Sequence, residues 1–289
     1  MRPPVPLEPD ALRPDSAAAL AAWASRVRAE REQVDRCREV ADPSDFYAPV
    51  ADRFRHDPRR TDDPVLDQLI AICRRGETWL DIGGGGGRYA LPIALVAREV
   101  VCIDPSAGML DVLRAGKREH HIDNVQPVEG RWPLPGYDRS ADVALMAHVG
   151  YDIEEIGPFL DGMDAAATRC CVAVMGEGAM TTVATLFWEP VHGERRVALP
   201  ALPELLALLV ARGHLYELRL EDRQPPSFAS VDELLWMARR QLWLRPGSEK
   251  DQVLERLVRE TARERDGQWA LDWSRSRIGI VTWEPQPGV

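Results

Sequence analysis

The chain has 289 residues, 45% hydrophobic and 28% charged, so it is long enough to bury one large core with an appended subdomain. Its net charge of −10 argues against extended contact with nucleic acid, because phosphate neutralisation needs a basic face. The N-terminus lacks a hydrophobic signal region and no uninterrupted apolar run could span a bilayer, so we expect a cytoplasmic protein with no membrane partner.

A long helix and a short aromatic segment come first along the chain. Apolar residues at helical spacing predict a helix from Ser16 to Val40, with one face that must pack on the rest of the protein. Residues 42–58 follow and contain the aromatic pair Phe46-Tyr47. We therefore treat residues 1–60 as an N-terminal helical extension and lid segment, and residues 61–289 as the main domain.

The most informative segment runs from Trp79 to Tyr89, WLDIGGGGGRY. It predicts an apolar strand that ends on an acid and turns through five glycines into a helix, where a ligand can approach the backbone closely. The glycines fit neither the dinucleotide fingerprint G-x-G-x-x-G nor the Walker phosphate loop. The pattern that the segment does contain is Asp81-x-Gly83-x-Gly85-x-Gly87. Because the carboxylate would repel a pyrophosphate and accept hydrogen bonds from an ammonium group, we predict a ligand that is cationic near Asp81.

A second strand that ends on an acid follows, and its Asp104 lies about 20 residues after the first glycine, Gly83. This is the spacing of a βαβ unit. The run from Glu99 to Asp104 is β-branched and ends on an acid, which can hold the two hydroxyls of a ribose. With both motifs, the chain resembles class I S-adenosylmethionine-dependent methyltransferases from about Trp79 to Met109. The resemblance implies an α/β fold with a Rossmann-like, doubly wound, seven-stranded sheet. It also implies that S-adenosylmethionine is the cofactor. Its methionine part would be held by Asp81, Gly83, Gly85 and Gly87, and its ribose by Asp104.

The adenine contacts follow from the same resemblance. In similar methyltransferases, the turn after strand three lies along the adenine, and here that turn contains Arg131 and Trp132. Met109 stands where the family packs an apolar side chain on the other adenine face, although ordinary helix core is an equal alternative. Ala147, at the end of strand four, completes the expected cofactor contacts.

The loop after strand four is expected to face the transferring methyl, because ligands bind beyond the carboxyl ends of the strands. His148 has the intrinsic pKa of a general base, and we assign it as the candidate catalytic residue. The alternative is a histidine that only hydrogen-bonds the loop or the cofactor. Tyr151 is a candidate acceptor contact, with a packing tyrosine as the alternative.

Two further acceptor contacts are predicted in segments that flank this loop. In similar methyltransferases the segment that contains Tyr47 folds over cofactor and acceptor, so Tyr47 is a candidate, although it could simply brace the sheet. Strand five, Cys170–Met175, is followed by a predicted loop that carries Trp188 beside the transfer site. The five cysteines show no metal-ligand spacing, so we expect no metal site.

The C-terminal part is predicted to hold a helix over Leu202–Arg212, strand six over Leu215–Leu220 and the last strand over Arg277–Trp283. A helical insertion over about residues 227–276 separates the last two strands. Capping signals at Ser230 and Ser248 predict its helices. Its tryptophans, which either line an acceptor pocket or form a helical core, are Trp236, Trp243, Trp269 and Trp273.

Three functions are compatible with these features. We predict methyl transfer to a small molecule by in-line displacement. The alternatives are a protein or RNA methyltransferase that uses the insertion for docking, and a protein that binds the cofactor without catalysis. Nucleic acid is disfavoured as a partner by the charge and by the loop Ala147-His148-Val149-Gly150, which lacks the Asn-Pro-Pro-Tyr motif of amino-methylating nucleic-acid enzymes. The identity of the acceptor and the oligomeric state are not determined by the sequence.

Overall fold

A computed structural model describes residues 13–41, 45–179, 182–223, 226–271 and 276–286. Its strands are β1 (Thr78–Ile82), β2 (Glu99–Asp104), β3 (Val125–Glu129), β4 (Ala141–Ala147), β5 (Ala167–Gly176), β6 (Tyr216–Asp222), β7 (Ser227–Phe228), β8 (Arg263–Arg265), β9 (Gln268–Ala270) and β10 (Arg277–Trp283). Its helices are α1 (Ser16–Cys37), α2 (Pro64–Ile72), α3 (Ala90–Ala94), α4 (Ala107–His120), α5 (Ile156–Ala166), α6 (Thr182–His192), α7 (Leu202–Ala211), α8 (Val231–Gln241) and α9 (Glu249–Thr261), with a 3-10 helix over Ala48–Phe54.

Seven strands form the central sheet in the order β3–β2–β1–β4–β5–β10–β6. Only β10 runs antiparallel to its neighbours, β5 and β6. The central strands are buried on both faces, and β1 and β4 are accordingly mostly apolar rather than alternating, with Asp81 and Asp142 as exceptions. The prediction of a seven-stranded, doubly wound α/β sheet is therefore confirmed.

The register of the sheet brings the predicted acids to one edge. Asp81 in β1 is paired with Cys102 in β2 and with Leu145 in β4. Asp104 ends β2 two residues after Cys102, so both carboxylates lie at the carboxyl ends of adjacent parallel strands. The order of the strands also reverses between β1 and β4, and ligands bind in open α/β sheets at such a reversal.

Helices cover both faces of the sheet. Helices α1, α5 and α7 pack on one face, and α2, α3 and α4 pack on the other. Helix α1 begins at the N-cap Asp15 and ends at Cys37, three residues earlier than predicted. The indole of Trp23 in α1 donates to the carbonyl of Ile153 at 2.9 Å, which fixes the helix to the loop before α5. None of the described helices combines the length and apolar character needed to cross a bilayer.

A third cluster of buried apolar residues forms a helical cap from α6, α8, α9 and the end of α1. Ser230 and Ser248 cap α8 and α9 as predicted, each accepting a backbone N–H three residues later. The expected loop after β5 is instead helix α6. The small sheet β7–β9–β8 was also not predicted. Trp273 lies outside the described residues, and Trp236 is 38% exposed on the surface of the cap.

Candidate functional site

The glycine turn after β1 is packed from several sides. Gly83, Gly85 and Gly87 all have positive φ angles, between 53° and 82°, which side-chain-bearing residues rarely adopt. A Cβ at Gly84 would lie 2.6 Å from the Sγ of Cys102 and would overlap the carboxylate of Asp81. The sequence needs glycine here for backbone conformation and because neighbouring side chains fill the space a Cβ would take.

Asp81 lies beneath this turn and is 1% exposed. Neither carboxylate oxygen makes a well-formed hydrogen bond within the described part of the chain, and the nearby N–H of Ala90 only partly offsets the burial. Burial, and then the charge of Asp104, raise the pKa of Asp81 to about 7. A buried carboxylate without a well-formed hydrogen bond is costly, so this site is arranged to receive a cation or a hydrogen-bond donor from a ligand.

Asp104 has the opposite arrangement, because the backbone already fixes its orientation. Its two oxygens accept the N–H groups of Gly85 and Ser106, at 2.9 and 2.8 Å. Burial raises its pKa, whereas these two hydrogen bonds lower it. A carboxylate can accept about four hydrogen bonds, so Asp104 retains acceptor capacity for a pair of hydroxyls.

The segment over residues 45–54, which we call the lid segment, covers the start of α4. The hydroxyl of Ser106 donates to Asp45 at 2.7 Å, and Ala48 packs on Gly108 so closely that a Cβ there would lie 2.9 Å from its Cα. Met109 is buried beneath the segment with Ala51 and Phe54. The terminal carbon of Met109 also fills the space beside Gly85, so this side chain joins the lid segment to the glycine turn.

The loop after β4 packs against the same turn. Val149 fills the space where a Cβ of Gly83 would lie. The half-buried Ala147 ends the strand, and His148 adopts a positive φ of 59° with its N–H bonded to the carbonyl of Val174 at 2.8 Å. The buried hydroxyl of Tyr151 accepts the N–H of Gly176 at 2.8 Å, which ties this loop to the end of β5.

Comparisons with known proteins agree with this geometry. Residues 80–166 match the family model of a methyltransferase domain. That domain is a class I S-adenosylmethionine-dependent methyltransferase domain. The YcgJ protein of Bacillus subtilis is similar in structure at 18% identity and a TM-score of 0.54, over 76% of this chain and 98% of its own. A putative methyltransferase from Bacillus halodurans C-125 is similar at 17% identity and a TM-score of 0.51, over 76% of this chain and 99% of its own. No curated protein matches the chain in sequence.

The cofactor of the methyltransferase is S-adenosylmethionine, and the residues present fit it. Asp81, which is buried and lacks a well-formed hydrogen bond, would receive the ammonium group of the methionine part. Glycine at position 84 leaves room for the carboxylate of Asp81 under the turn, because a Cβ there would overlap it. Asp104, already oriented by two backbone N–H groups, would accept hydrogen bonds from the ribose hydroxyls. When bound, the cofactor supplies an electrophilic methyl group on a sulfonium sulfur.

Two of the residues predicted to lie along the adenine, Arg131 and Trp132, follow β3. Arg131 is exposed, and the indole of Trp132 donates to the carbonyl of Phe159 in α5 at 3.1 Å. The same ring lies 3.0 Å from where a Cβ of Gly162 would be, so one edge packs on α5. Contacts of Arg131, Trp132 and Met109 with the adenine remain predictions.

The assignment of Trp188 needs correction. It was expected in a loop beside the transfer site, but it lies within α6 and is completely buried in the cap. Its ring packs 4.3 Å from that of His192, and the guanidinium of Arg196 lies 5.0 Å from its centroid. The apolar spacing of α6 directs Trp188 into the cap core rather than towards the strand ends.

A polar cluster that no sequence pattern indicated lies on the other side of the turn. Arg60 and Arg88 share the carboxylate of Asp63, and Tyr89 lies between them and His148. Arg88 and Tyr89 directly follow the glycines, but no spacing in the sequence relates them to residues 60–63 or to the end of β4. The arginine–tyrosine pair directly after the glycine turn was the available signal.

Replacing Asp104 with asparagine is expected to weaken binding of S-adenosylhomocysteine by about tenfold to a hundredfold. The amide has one acceptor oxygen instead of two, and its NH₂ group would face a backbone N–H. Isothermal titration calorimetry measures the change. The matched control is Asp111→Asn on the exposed face of α4, and equal affinities in the two variants would remove Asp104 from the cofactor site.

Proposed function

We propose that the methyltransferase acts on a small-molecule acceptor held beneath the lid segment and the cap. The observation that supports this most directly is that the lid segment is fixed on both sides. It packs on α4 through Asp45 and Ala48, as described above, and on the cap through Arg53 and Arg240. A lid segment that is held on both sides favours a compact acceptor over a folded protein or an RNA helix.

The contacts between the lid segment and the cap are polar and aromatic. Arg53 forms an ion pair with Glu233 of α8, and its guanidinium lies 5.7 Å from the ring centroid of Phe228. Arg240 donates to the carbonyl of Phe46 at 2.5 Å and lies 4.8 Å from the centroid of its ring. In our proposal residues 1–60 are the helical extension and lid, and the insertion over residues 227–276 is the cap that holds the lid in place.

Tyr47 is the lid residue best placed to contact the acceptor. It is 49% exposed, so part of its ring is open to a ligand. A tyrosine hydroxyl is protonated at neutral pH, so that of Tyr47 can donate a hydrogen bond to a ligand. In the proposal Tyr47 orients the acceptor above the ribose side of the cofactor.

The reaction is an in-line displacement. A lone pair of the acceptor forms a bond to the methyl carbon while the carbon–sulfur bond breaks and its electron pair returns to sulfur. The residues around the crevice hold the acceptor in line and exclude water, and alignment supplies much of the acceleration. A proton carried by the attacking atom leaves to a base or to solvent.

His148 has a poor pKa for that base. Burial, and then the charges of Arg88 and Arg223, lower its pKa to about 4. Its imidazole is therefore neutral at pH 7, but it holds a proton more weakly than an ordinary histidine does. We propose that His148 chiefly binds the acceptor as a neutral imidazole, and that proton removal is a minor part of its role.

Incubation with methyl-labelled S-adenosylmethionine and fractionated cell extract tests the proposed function. We expect label in the metabolite fraction and none above background in protein or RNA. Asp81→Asn serves as the inactive control, because it removes the charge that receives the cofactor. Label in protein or RNA would establish the corresponding macromolecular acceptor, and label in no fraction would indicate a protein that only binds the cofactor.

A further inference from the structure

The polar cluster around Tyr89 contains three buried polar atoms with incomplete hydrogen bonding. They are the Nε of Arg88, the hydroxyl of Tyr89 and the Nδ1 of His148; none makes a well-formed hydrogen bond among the described residues, although the Arg88 guanidinium and the Tyr89 hydroxyl lie close enough to interact. The ring of Tyr89 lies 6.4 Å from that of His148, and the guanidinium of Arg88 lies 5.4 Å from the Tyr89 centroid. Buried polar atoms without a well-formed hydrogen bond are rare, and three in one place point to a ligand that would pair with them.

These atoms offer mainly donors. A guanidinium only donates, and a phenol and a neutral imidazole can each donate one hydrogen bond. Tyr89 is 4% exposed, whereas the side chain of Arg88 is 42% exposed and opens the cluster to solvent. A ligand that reaches the cluster past Arg88 would therefore present acceptor atoms.

The charges in the cluster also favour a ligand with acceptor atoms. Arg60 and Arg88 both bind the carboxylate of Asp63, at 3.0 and 2.9 Å, so a single acid faces two guanidinium groups. The nearby His56 has its pKa lowered to about 4, by burial and then by the charges of Arg88 and Arg60. One negative charge on a ligand would balance the remaining guanidinium.

The cluster is separate from the acids that face the cofactor. Asp81 and Asp104 lie at the ends of β1 and β2, whereas Tyr89 follows the glycine turn and His148 follows β4. The two sides of the turn thus have opposite polarity. The acidic side suits the cationic cofactor, and the basic side suits an anion beside the loop where the acceptor is expected.

We propose that Arg88, Tyr89 and His148 form a subsite that binds a carboxylate group of the methyl acceptor. This inference rests on the proposed small-molecule function and specifies its substrate class. The carboxylate accepts hydrogen bonds from Arg88 Nε and Tyr89 Oη, and from His148 when its Nδ1 carries the proton. Arg60 and Asp63 position Arg88 by their ion pairs and do not contact the ligand.

Histidine NMR of the methyltransferase saturated with S-adenosylhomocysteine tests the subsite without knowledge of the acceptor. Acetate is the probe, inorganic phosphate is the second probe, and His148→Gln assigns the signal. We expect acetate to shift the ring resonances of His148 saturably and to raise its pKa. The effect should be lost in Arg88→Gln, weakened about tenfold in Tyr89→Phe and kept in Arg114→Gln, a control arginine on the surface of α4.

Three results of this titration would overturn the proposal. The first is no saturable change with acetate up to roughly 100 mM, far above the millimolar range expected of a weak site. The second is that S-adenosylhomocysteine alone, before any acetate is added, already shifts the ring resonances of His148 fully. The carboxylate of the cofactor would then occupy the subsite. The third is saturation by phosphate without any effect of acetate, which would assign the subsite to a different anion.

The extract experiment separates failure of this inference from failure of the proposed function. Labelled metabolites are passed over an anion exchanger, and we expect the product to be retained when its carboxylate is ionised. The Arg88→Gln protein should label it at least about tenfold less while binding S-adenosylhomocysteine within about twofold of the unmodified protein. Label only in neutral or cationic metabolites would reject the carboxylate subsite and keep the small-molecule function. Label in no metabolite would reject the proposed function itself.

Discussion

Asp81→Asn is expected to weaken S-adenosylhomocysteine binding by a hundredfold or more and to make the free protein more stable at pH 8. The asparagine keeps the shape of the side chain but cannot balance the ammonium group of the ligand. Hydrogen bonds to charged groups contribute about 1.5–3 kcal/mol each, and an unpaired buried ammonium adds to the loss. Calorimetry gives the affinity, and an unchanged dissociation constant would contradict the role of Asp81.

The difference in free energy of unfolding between Asp81→Asn and the natural protein should depend on pH. Because burial raises the folded-state pKa of Asp81 to about 7, above the ordinary value of 3.8, folding takes up a proton between about pH 4 and pH 7. The free energy of unfolding of the natural protein therefore falls as pH rises through this window. Asparagine does not titrate, so the variant should gain about 3 kcal/mol over the natural protein between pH 5 and pH 8.

Urea unfolding at both pH values measures this difference, with Asp111→Asn as the control that should follow the natural protein. Parallel pH dependences for Asp81→Asn and the natural protein would show that Asp81 is not held at a raised pKa. Cofactor affinity of the natural protein should also fall below pH 7, because protonated Asp81 has lost the charge that receives the ammonium group.

Gly84→Ala is expected to destabilise the protein by about 1–3 kcal/mol and to abolish measurable cofactor binding. The added methyl group would overlap the carboxylate of Asp81 and lie 2.6 Å from the Sγ of Cys102. Both neighbours are fully buried, so the turn must shift to relieve the overlap. Thermal unfolding with and without S-adenosylhomocysteine measures both effects.

The matched control is Gly178→Ala, because a Cβ there meets nothing within 4 Å and its φ angle is not positive. It should leave the cofactor-induced rise in melting temperature unchanged. Tight cofactor binding by Gly84→Ala would mean that the close approach of the turn to Asp81 is not needed, and would contradict the site described here.

The strand ends and the glycine turn of the proposed cofactor site could be predicted from the sequence because their signals are local. A buried strand that ends on an acid, followed by glycines, limits the backbone to a strand–turn–helix whatever surrounds it. The β-branched run up to Asp104 carries a similar signal, and β10 was predicted with its observed bounds. The capping serines of α8 and α9 were found for the same reason, since a cap acts within four residues.

The acceptor half could not be predicted in this way. Trp188 was placed wrongly because a loop and a buried helix face cannot be distinguished without knowing what packs against them. The neutral state of His148 depends on burial and on Arg88 and Arg223, which are 60 and 75 positions away in the chain. The sequence around His148 does not indicate that these two arginines lie near it in the folded protein.

Sequence by itself thus determined individual strands, the acidic strand ends and the side-chain-free turn, because short stretches of chain encode them through backbone sterics and apolar patterning, whereas the seven-stranded sheet was implied by the family resemblance. Tertiary structure alone decided which carboxylate lacks a well-formed hydrogen bond, how the lid segment is held between α4 and the cap, and that Arg88, Tyr89 and His148 meet. Those properties arise from desolvation and from contacts between distant segments, so they exist only once the chain has packed.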